Sequence, residues 1–129
     1  MDVARRAEVD ALVSRALDAW GRLDALVNVA GIPADGALDT LSEAEFDRVV
    51  AIYAKGTRFG CQAGVRAMAP RGGRSIVSVA SGAIDRAVPN YGLYAITTSA
   101  VAQLTQTLAT EVGKHGVARS RRLVLHCRT

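Results

Sequence analysis

The amino-acid sequence predicts an α/β fold in which helices cover a small parallel sheet. Segments whose apolar residues recur at helical spacing alternate along the chain with short, nearly continuous apolar runs. The resulting order is helix, strand, helix, strand, helix, which is typical of parallel strands joined by right-handed crossovers. With 129 residues, half of them apolar, the chain has the material for one core.

The first helix and the first strand are predicted between residues 9 and 30. One face of this helix is apolar, and Gly21 is a stop signal after it. The residues of that face, among which we expect Trp20 to lie in the core, are Val9, Leu12, Val13, Ala16, Leu17 and Trp20. Residues 25–30 then form a short apolar run, which is typical of a parallel strand buried on both faces.

A second helix and a second strand follow. Ser42 and Glu45 have the spacing of a capping box, so the helix is expected to begin there. It can run to about Met68, because Pro70 blocks its continuation. Residues 75–80 alternate between polar and apolar side chains, which predicts a strand.

Apolar residues from Val101 to Val112 mark a third helix, with Gly113 and Gly116 as its stop signals. Two strands make a small sheet for three helices. Residues 123–125, Leu-Val-Leu, would add a third strand.

The positive charge of the chain is concentrated at its end. Residues 1–118 contain 12 Lys and Arg against 12 Asp and Glu, so the net charge of +4 comes from the last segment. Its basic residues are Arg119, Arg121, Arg122 and Arg128. A short terminal cluster without interleaved aromatic residues is typical of a solvated end, so we expect no nucleic-acid partner. We therefore predict a domain over residues 1–118 and a basic tail, outside its fold, over residues 119–129.

Several other classes of protein are not expected. Cys61 and Cys127 are too few for a disulfide framework and lack the spacing of a zinc site, so we expect reduced thiols and no metal. The sequence has no run of about 18 apolar residues and no secretory segment at its start. We therefore expect a cytoplasmic protein without a membrane partner.

Ligands of open α/β sheets bind beyond the carboxyl ends of the strands, and there the sequence carries a family resemblance. Residues 26–31, LVNVAG, resemble the strand end LVNNAG of short-chain dehydrogenases/reductases, with Val29 replacing the second asparagine. Residues 75–81 resemble the catalytic-serine strand of that family. Tyr94 follows Ser81 by thirteen positions, which is the family's separation, and it opens a segment similar to the YxxxK helix start. Residues 1–117 thus resemble the C-terminal portion of a family member.

The resemblance implies a partial Rossmann-like fold, a doubly wound parallel sheet that lacks the N-terminal cofactor-binding strands. The family's TGxxxGxG phosphate loop has no counterpart here. Gly56, Gly60 and Gly64 recur every four residues on one helix, a spacing that lets helices approach closely. The implied cofactor is NAD or NADP. The resemblance places cofactor-binding residues at Asp2, Val3, Asn28, Ala30 and Gly31.

Hydride transfer between a nicotinamide and a carbinol carbon requires a group that exchanges the proton of the alcohol oxygen. The resemblance gives that role to Tyr94 and makes Ser81 the anchor of the substrate oxygen. It implies a small-molecule ketone or secondary alcohol as substrate. Ser78 and Tyr91 have the same separation, but the register of Tyr94 also matches residues 99–101, so we favour it.

Two residues depart from the family pattern in this region. Thr98 stands where the family has a lysine, one helical turn after the tyrosine. A charge at about 4 Å with an effective dielectric near 20 is worth roughly 4 kcal/mol, or about three pKa units, to a phenolate. Tyr53 stands where the family has an asparagine that holds a water of the proton relay. Lys55 matches a lysine already present in that segment, so it does not replace the missing one.

Two functions therefore stay open. The first is an NAD(P)-dependent oxidoreductase of this family, impaired or inactive as this chain. The second is a non-catalytic remnant or a helix-mediated interaction module. In the family the subunits meet through two long helices, which here correspond to residues near 43–68 and 92–112, so we expect a homo-oligomer.

Overall fold

The computed structural model describes residues 1–71, 75–112 and 120–125. The helices of the described residues are α1 (Arg6–Trp20), α2 (Glu43–Val50), α3 (Gly56–Met68) and α4 (Gly92–Val112), and the strands are β1 (Ala25–Asn28), β2 (Ser75–Ser81) and β3 (Ser120–Leu125). A π-helical turn, Ala51–Lys55, joins α2 to α3, and short 3₁₀ turns cover Ala69–Arg71 and Gly82–Asp85. The α/β class predicted from the sequence is confirmed.

The three strands form a parallel sheet in the order β1, β2, β3. Ala25 pairs with Ser75 at the start of β1, and Ile76 pairs with Ser120 at the start of β3. β3 contains the Leu-Val-Leu segment that the sequence offered as a third strand, and it lies inside the segment expected to be a basic tail. The domain boundary at residue 118 stays a prediction.

β1 is open on one face, which the sequence did not predict. Leu26 and Asn28 are half-buried, whereas Val27 is 55 % and Val29 63 % exposed. α1 and α3 cover the first face, where Leu26 packs beside the buried Val9. The expectation of a strand buried on both faces is wrong for β1, because no described helix covers its second face.

α1 ends at Gly21 as predicted. Gly21 adopts φ 69°, and its N–H donates to the Leu17 carbonyl at 2.7 Å. The expectation that Trp20 lies in the core is wrong, since this residue is 75 % exposed. The buried part of the helix is centred on Val9 and Val13, and packing fades toward its last turn.

The long second helix begins at its predicted cap. The Ser42 Oγ accepts the N–H of Glu45 at 3.2 Å. The Glu45 carboxylate pairs with Arg48 at 2.7 Å, and this pairing lowers the pKa of Glu45. The segment is helical to Met68 as expected, but α2 and α3 meet in the π-helical turn Ala51–Lys55, which no sequence signal indicated.

The glycine stripe of α3 faces the sheet and the first residues of the chain, not another helix. A Cβ at Gly64 would lie 3.2 Å from the Ile76 side chain, and a Cβ at Gly56 would lie 2.9 Å from Val3. A Cβ at Gly60 would overlap the amide oxygen of Asn28. The stripe therefore lets α3 lie close to β1 and β2.

α4 spans the predicted region, packs against β2 and carries three buried threonines. The hydroxyls of Thr97, Thr98 and Thr105 each donate to the carbonyl four residues earlier, at 2.7–3.0 Å. Each buried hydroxyl is thus satisfied within the helix. The stop signals expected at Gly113 and Gly116 lie outside the described residues.

Candidate active site

β1 and β2 end at the same edge of the sheet, and an open cleft of about 660 Å³ lies beyond them. Ser81 is the last residue of β2, and Tyr94 lies in the first turn of α4. Both line this cleft together with Gly31, which follows β1. The structure thus brings together the two residues expected to be catalytic and one residue expected to bind cofactor.

The Ser81 hydroxyl is used on one side only. Its Oγ accepts the N–H of Ala83 at 3.2 Å and so caps the short 3₁₀ turn that follows β2. The hydroxyl hydrogen has no acceptor among the described residues. It is available to donate to an oxygen in the cleft.

Tyr94 lies between two other tyrosines. Its ring centroid is 5.8 Å from that of Tyr53 and 6.1 Å from that of Tyr91, with interplanar angles of 79° and 83°. Both are edge-to-face contacts, which favour a fixed ring orientation. Tyr94 lines the cleft, and within the part of the chain that the structure describes its hydroxyl has no hydrogen-bond partner.

Thr98 does not line the cleft. It is 1 % exposed, and its hydroxyl donates to the Tyr94 carbonyl at 2.8 Å. Lys55 is exposed and lines neither this cleft nor the neighbouring cavity. Among the described residues, no lysine lies on the cleft wall beside Tyr94.

Tyr53, in the middle of the π-helical turn, forms part of the cleft wall. Its hydroxyl donates to the Ile32 carbonyl at 2.8 Å. Burial raises the pKa of Tyr53, and the nearby Tyr94 raises it further. The phenol therefore stays neutral where a free tyrosine would begin to ionise.

The alternative pair is not brought together. Ser78 is fully buried in β2 and accepts the Asn28 amide at 3.2 Å, whereas Tyr91 is 44 % exposed at the cleft. Tyr91 nevertheless matters as an aromatic neighbour of Tyr94, and Arg86 and Asp35 also line the cleft. No sequence motif singles out either charge, because both residues lie in irregular segments whose direction only the tertiary structure fixes.

The other residues expected to bind cofactor lie elsewhere. Val3, Asn28 and Ala30 line a second cavity of about 180 Å³ beside β1. Asp2 lines neither space, and its carboxylate accepts the N–H of Ala4 at 2.9 Å. Four of the five positions thus line two spaces that share Val29 in their walls, and their role in cofactor binding stays a prediction.

Asn28 is held by the core beneath it. Its amide nitrogen lies 3.2 Å from the Ser78 hydroxyl and 3.5 Å from the Cys61 sulfur, and its oxygen faces Gly60. Burial raises the pKa of the Cys61 thiol. In this chain Asn28 serves as a strand-end hydrogen-bonding residue that ties β1 to β2 and α3.

The second cavity has mostly apolar walls, with no Lys or Arg among its lining residues. The described residues also contain no group of three His, Cys, Asp or Glu side chains placed to hold a metal ion. None of their helices combines the length and the apolar character needed to cross a membrane.

Two curated dehydrogenases are similar to this chain. Over 118 residues it is 36 % identical to a sorbitol dehydrogenase of Cereibacter sphaeroides, covering 91 % of this chain and 46 % of that protein. Over 119 residues it is 34 % identical to a 2-(R)-hydroxypropyl-CoM dehydrogenase of Xanthobacter autotrophicus, covering 90 % of this chain and 48 % of that protein. The chain spans about half the length of the curated relatives it matches.

Solved structures agree in fold. A gluconate 5-dehydrogenase from Burkholderia cenocepacia, in complex with NADP and tartrate, matches with a TM-score of 0.91 and 28 % identity. A short chain dehydrogenase from Mycobacterium smegmatis matches with a TM-score of 0.93 and 29 % identity. Each match covers 98 % of this chain and 49 % or 52 % of the other.

The sequence model of the short chain dehydrogenase family matches residues 1–120, nearly the whole chain. The match includes β1, β2 and α4, and hence the cleft residues Ser81 and Tyr94. This chain therefore belongs to the short chain dehydrogenase family.

Proposed function

We propose that this chain carries the proton-transfer part of an NAD(P)-dependent oxidoreductase site. Tyr94 exchanges the proton of the substrate's alcohol oxygen, and Ser81 donates a hydrogen bond to the same oxygen. The observation that carries the proposal is that Ser81 and Tyr94 line one cleft and that no described residue accepts a hydrogen bond from either hydroxyl. The substrate class is a small ketone or secondary alcohol.

The cofactor and the location belong to the same proposal. NADP is bound in the gluconate 5-dehydrogenase structure that this chain resembles, which supports NAD or NADP as the hydride donor or acceptor. The nicotinamide supplies the hydride chemistry when it is bound, whereas the residues of this chain handle the proton and orient the carbonyl.

The free thiol of Cys61 is compatible with the expected cytoplasmic location.

We further propose that the chain as it stands is impaired. A cation beside a phenol favours loss of its proton. Thr98 is neutral and buried beneath Tyr94, and the rings that flank Tyr94 are tyrosines, so the position one helical turn after Tyr94 supplies no cation. Arg86 also lines the cleft, but it lies in the loop after β2. The cavity beside β1 also offers no basic side chain to phosphates.

The impairment is tested by calorimetric titration of the 129-residue chain with NADPH and NADH. We expect no binding at micromolar concentrations of dinucleotide. Thr98→Lys alone should leave the chain without turnover of a panel of simple ketones. Micromolar binding by the unmodified chain would contradict the proposal that it lacks a dinucleotide site.

The catalytic assignment needs a context in which the cofactor is held. A chimera joins the N-terminal half of the Burkholderia cenocepacia gluconate 5-dehydrogenase to this chain carrying Thr98→Lys and Tyr53→Asn, which gives both positions the residues of the family pattern. In it, Tyr94→Phe should lower kcat by at least about 100-fold, since a positioned general acid or base contributes that much. Tyr91→Phe is the matched control and should retain activity within about threefold, because its exposed hydroxyl has no role in the proposal. Equal losses in the two variants would reject Tyr94 as the proton-exchanging residue.

A second function, a helix-mediated interaction module, is supported by the surface of α4. Among its 21 residues only Glu111 is charged, and its exposed side includes Ile96, Ser99 and Ala100. Charge depletion is typical of buried interface patches. We therefore propose that α4 is part of a homo-oligomer interface.

Light scattering coupled to size-exclusion chromatography tests this interface. Ala100→Arg should shift the chain toward the monomer, because it buries a guanidinium in the contact. Ala11→Arg is the matched control, since Ala11 is an equally small, exposed residue on α1. A monomeric parent chain, or the same effect from both variants, would exclude an α4 interface.

A further inference from the structure

Thr98 lies on a continuous buried stripe of α4. Helical spacing places Tyr94, Val101 and Ala102 on the same face, at four positions before and at three and four positions after it. Val101 is 1 % exposed and Ala102 is 5 % exposed, so other parts of the chain pack tightly against this face. The residues that pack there determine how long the side chain at position 98 can be.

Tyr53 packs against the face of α4 that carries this stripe. Its ring makes the edge-to-face contact with Tyr94, and it also packs against the buried cluster formed by Ala80, Val101 and Ala102. The ring therefore lies beside the helical face on which Thr98 is buried.

The far end of the Tyr53 side chain is also fixed. Its hydroxyl donates to the Ile32 carbonyl, and a Cβ at Gly31 would lie 2.7 Å from the hydroxyl oxygen. The π-helical turn that carries Tyr53 is a local distortion of a kind that is frequent at functional sites. The ring is therefore restrained at α4, at β2 and at the segment after β1.

We propose that Tyr53 and Thr98 form a coupled pair. The Tyr53 ring takes the space that a long side chain at position 98 would need, and it positions the Tyr94 ring in the cleft wall. The two departures from the family pattern at positions 98 and 53 then depend on each other, because the short Thr98 side chain leaves room for the Tyr53 ring. The packing does not depend on the proposed oxidoreductase function, whereas the value of positioning Tyr94 rests on it.

The coupling is tested by a double-mutant cycle in urea unfolding of the 129-residue chain. Thr98→Met introduces a side chain as long as lysine but without its charge, and Tyr53→Ala removes the ring. We expect each single variant to lower the folded-to-unfolded ratio by roughly tenfold or more. The double variant should recover at least about fivefold over Thr98→Met, as residues in contact do. Additive losses would overturn the proposal.

If Thr98→Met alone does not fold, the cycle can start from Tyr53→Ala. Adding Thr98→Met to that variant should raise its urea midpoint, because the methionine fills the space left by the ring. A lowered midpoint contradicts the proposal. Ser99→Met is the matched control on the exposed side of α4, and its effect should be the same with or without the Tyr53 ring.

The positioning role is tested by the ring-proton chemical shifts of Tyr94. Tyr53→Phe keeps the aromatic edge and should leave these shifts nearly unchanged, whereas Tyr53→Leu should move them because the ring current is lost. Unmoved shifts in Tyr53→Leu would reject Tyr53 as a positioning residue. Neither the shifts nor the unfolding cycle requires turnover, so a failure of the proposed reaction is separate from a failure of this inference.

Discussion

The two phenols of Tyr53 and Tyr94 differ in what their hydroxyls contact, although their rings touch. The Tyr53 hydroxyl donates a hydrogen bond to the Ile32 carbonyl, while the Tyr94 hydroxyl has no hydrogen-bond partner among the described residues. Burial makes ionisation of Tyr53 unfavourable, and a second phenolate beside Tyr94 would add repulsion. Tyr53 is thus suited to a structural hydrogen bond, and Tyr94 is the phenol left for chemistry.

The raised pKa of Tyr53 gives a prediction for stability at high pH. Above a pH of about 10 the unfolded chain ionises this tyrosine while the folded chain keeps it neutral, so unfolding becomes more favourable. At pH 7 we expect Tyr53→Phe to be less stable by about 1 kcal/mol, because its hydrogen bond is lost. The difference should shrink as the pH rises through 10, when urea unfolding of the two chains is compared. A constant difference from pH 7 to 11 would contradict the raised pKa.

At the scale of the element, the approach of α3 to the sheet depends on glycines that face the strands. Gly60 lies against the Asn28 amide, which the Ser78 hydroxyl and the Cys61 sulfur hold in place. Gly64 lies against aliphatic side chains that can adjust. The two glycines share one helix but have neighbours of different rigidity.

Alanine substitutions separate these two environments. In a helix, Gly→Ala is ordinarily stabilising by about 1 kcal/mol. We expect Gly60→Ala to be destabilising by about 1–3 kcal/mol instead, because its Cβ displaces the Asn28 amide. Gly64→Ala is the matched control and should cost less, since its nearest contacts are the ends of Ile76 and Leu26. Free energies of unfolding from urea titrations measure both, and a stabilised Gly60→Ala would disprove the close contact.

At the scale of the whole molecule, β1 is an edge strand of the described sheet, and one of its faces is uncovered. Among the described strands it pairs only with β2, and Val27 and Val29 are more than half exposed. An open strand edge with apolar side chains favours pairing with other chains. We therefore expect that any self-association beyond the proposed α4 interface begins at β1.

A charge on β1 should reduce such association. We expect Val27→Lys to delay the rise in light scattering of the concentrated chain by at least about twofold, because a lysine on an edge strand opposes pairing. Leu38→Lys is the matched control, with 56 % exposure against 55 % for Val27, and should have little effect. If both variants delay scattering equally, net charge and not the β1 edge governs association.

Local chemistry in the sequence was sufficient for the order of the elements and for much of the cleft. The cap at Ser42, the stop at Gly21 and the strand end at Ser81 depend on residues near in sequence, so their patterns predicted them. The placement of Gly31 and Ser81 on one cleft also followed from strand ends that meet at one sheet edge, whereas Tyr94, on α4, was assigned by the family resemblance.

Only the tertiary structure decided which surfaces are covered. Trp20 and Val27 have apolar side chains at positions typical of a core, yet both are exposed, because burial depends on which elements pack against each face. For the same reason, the sequence alone did not reveal that Tyr53 and Thr98 pack near each other. The sequence identified each as a separate departure from a family pattern, whereas their packing on one face of α4 required the fold that brings the π-helical turn against that helix.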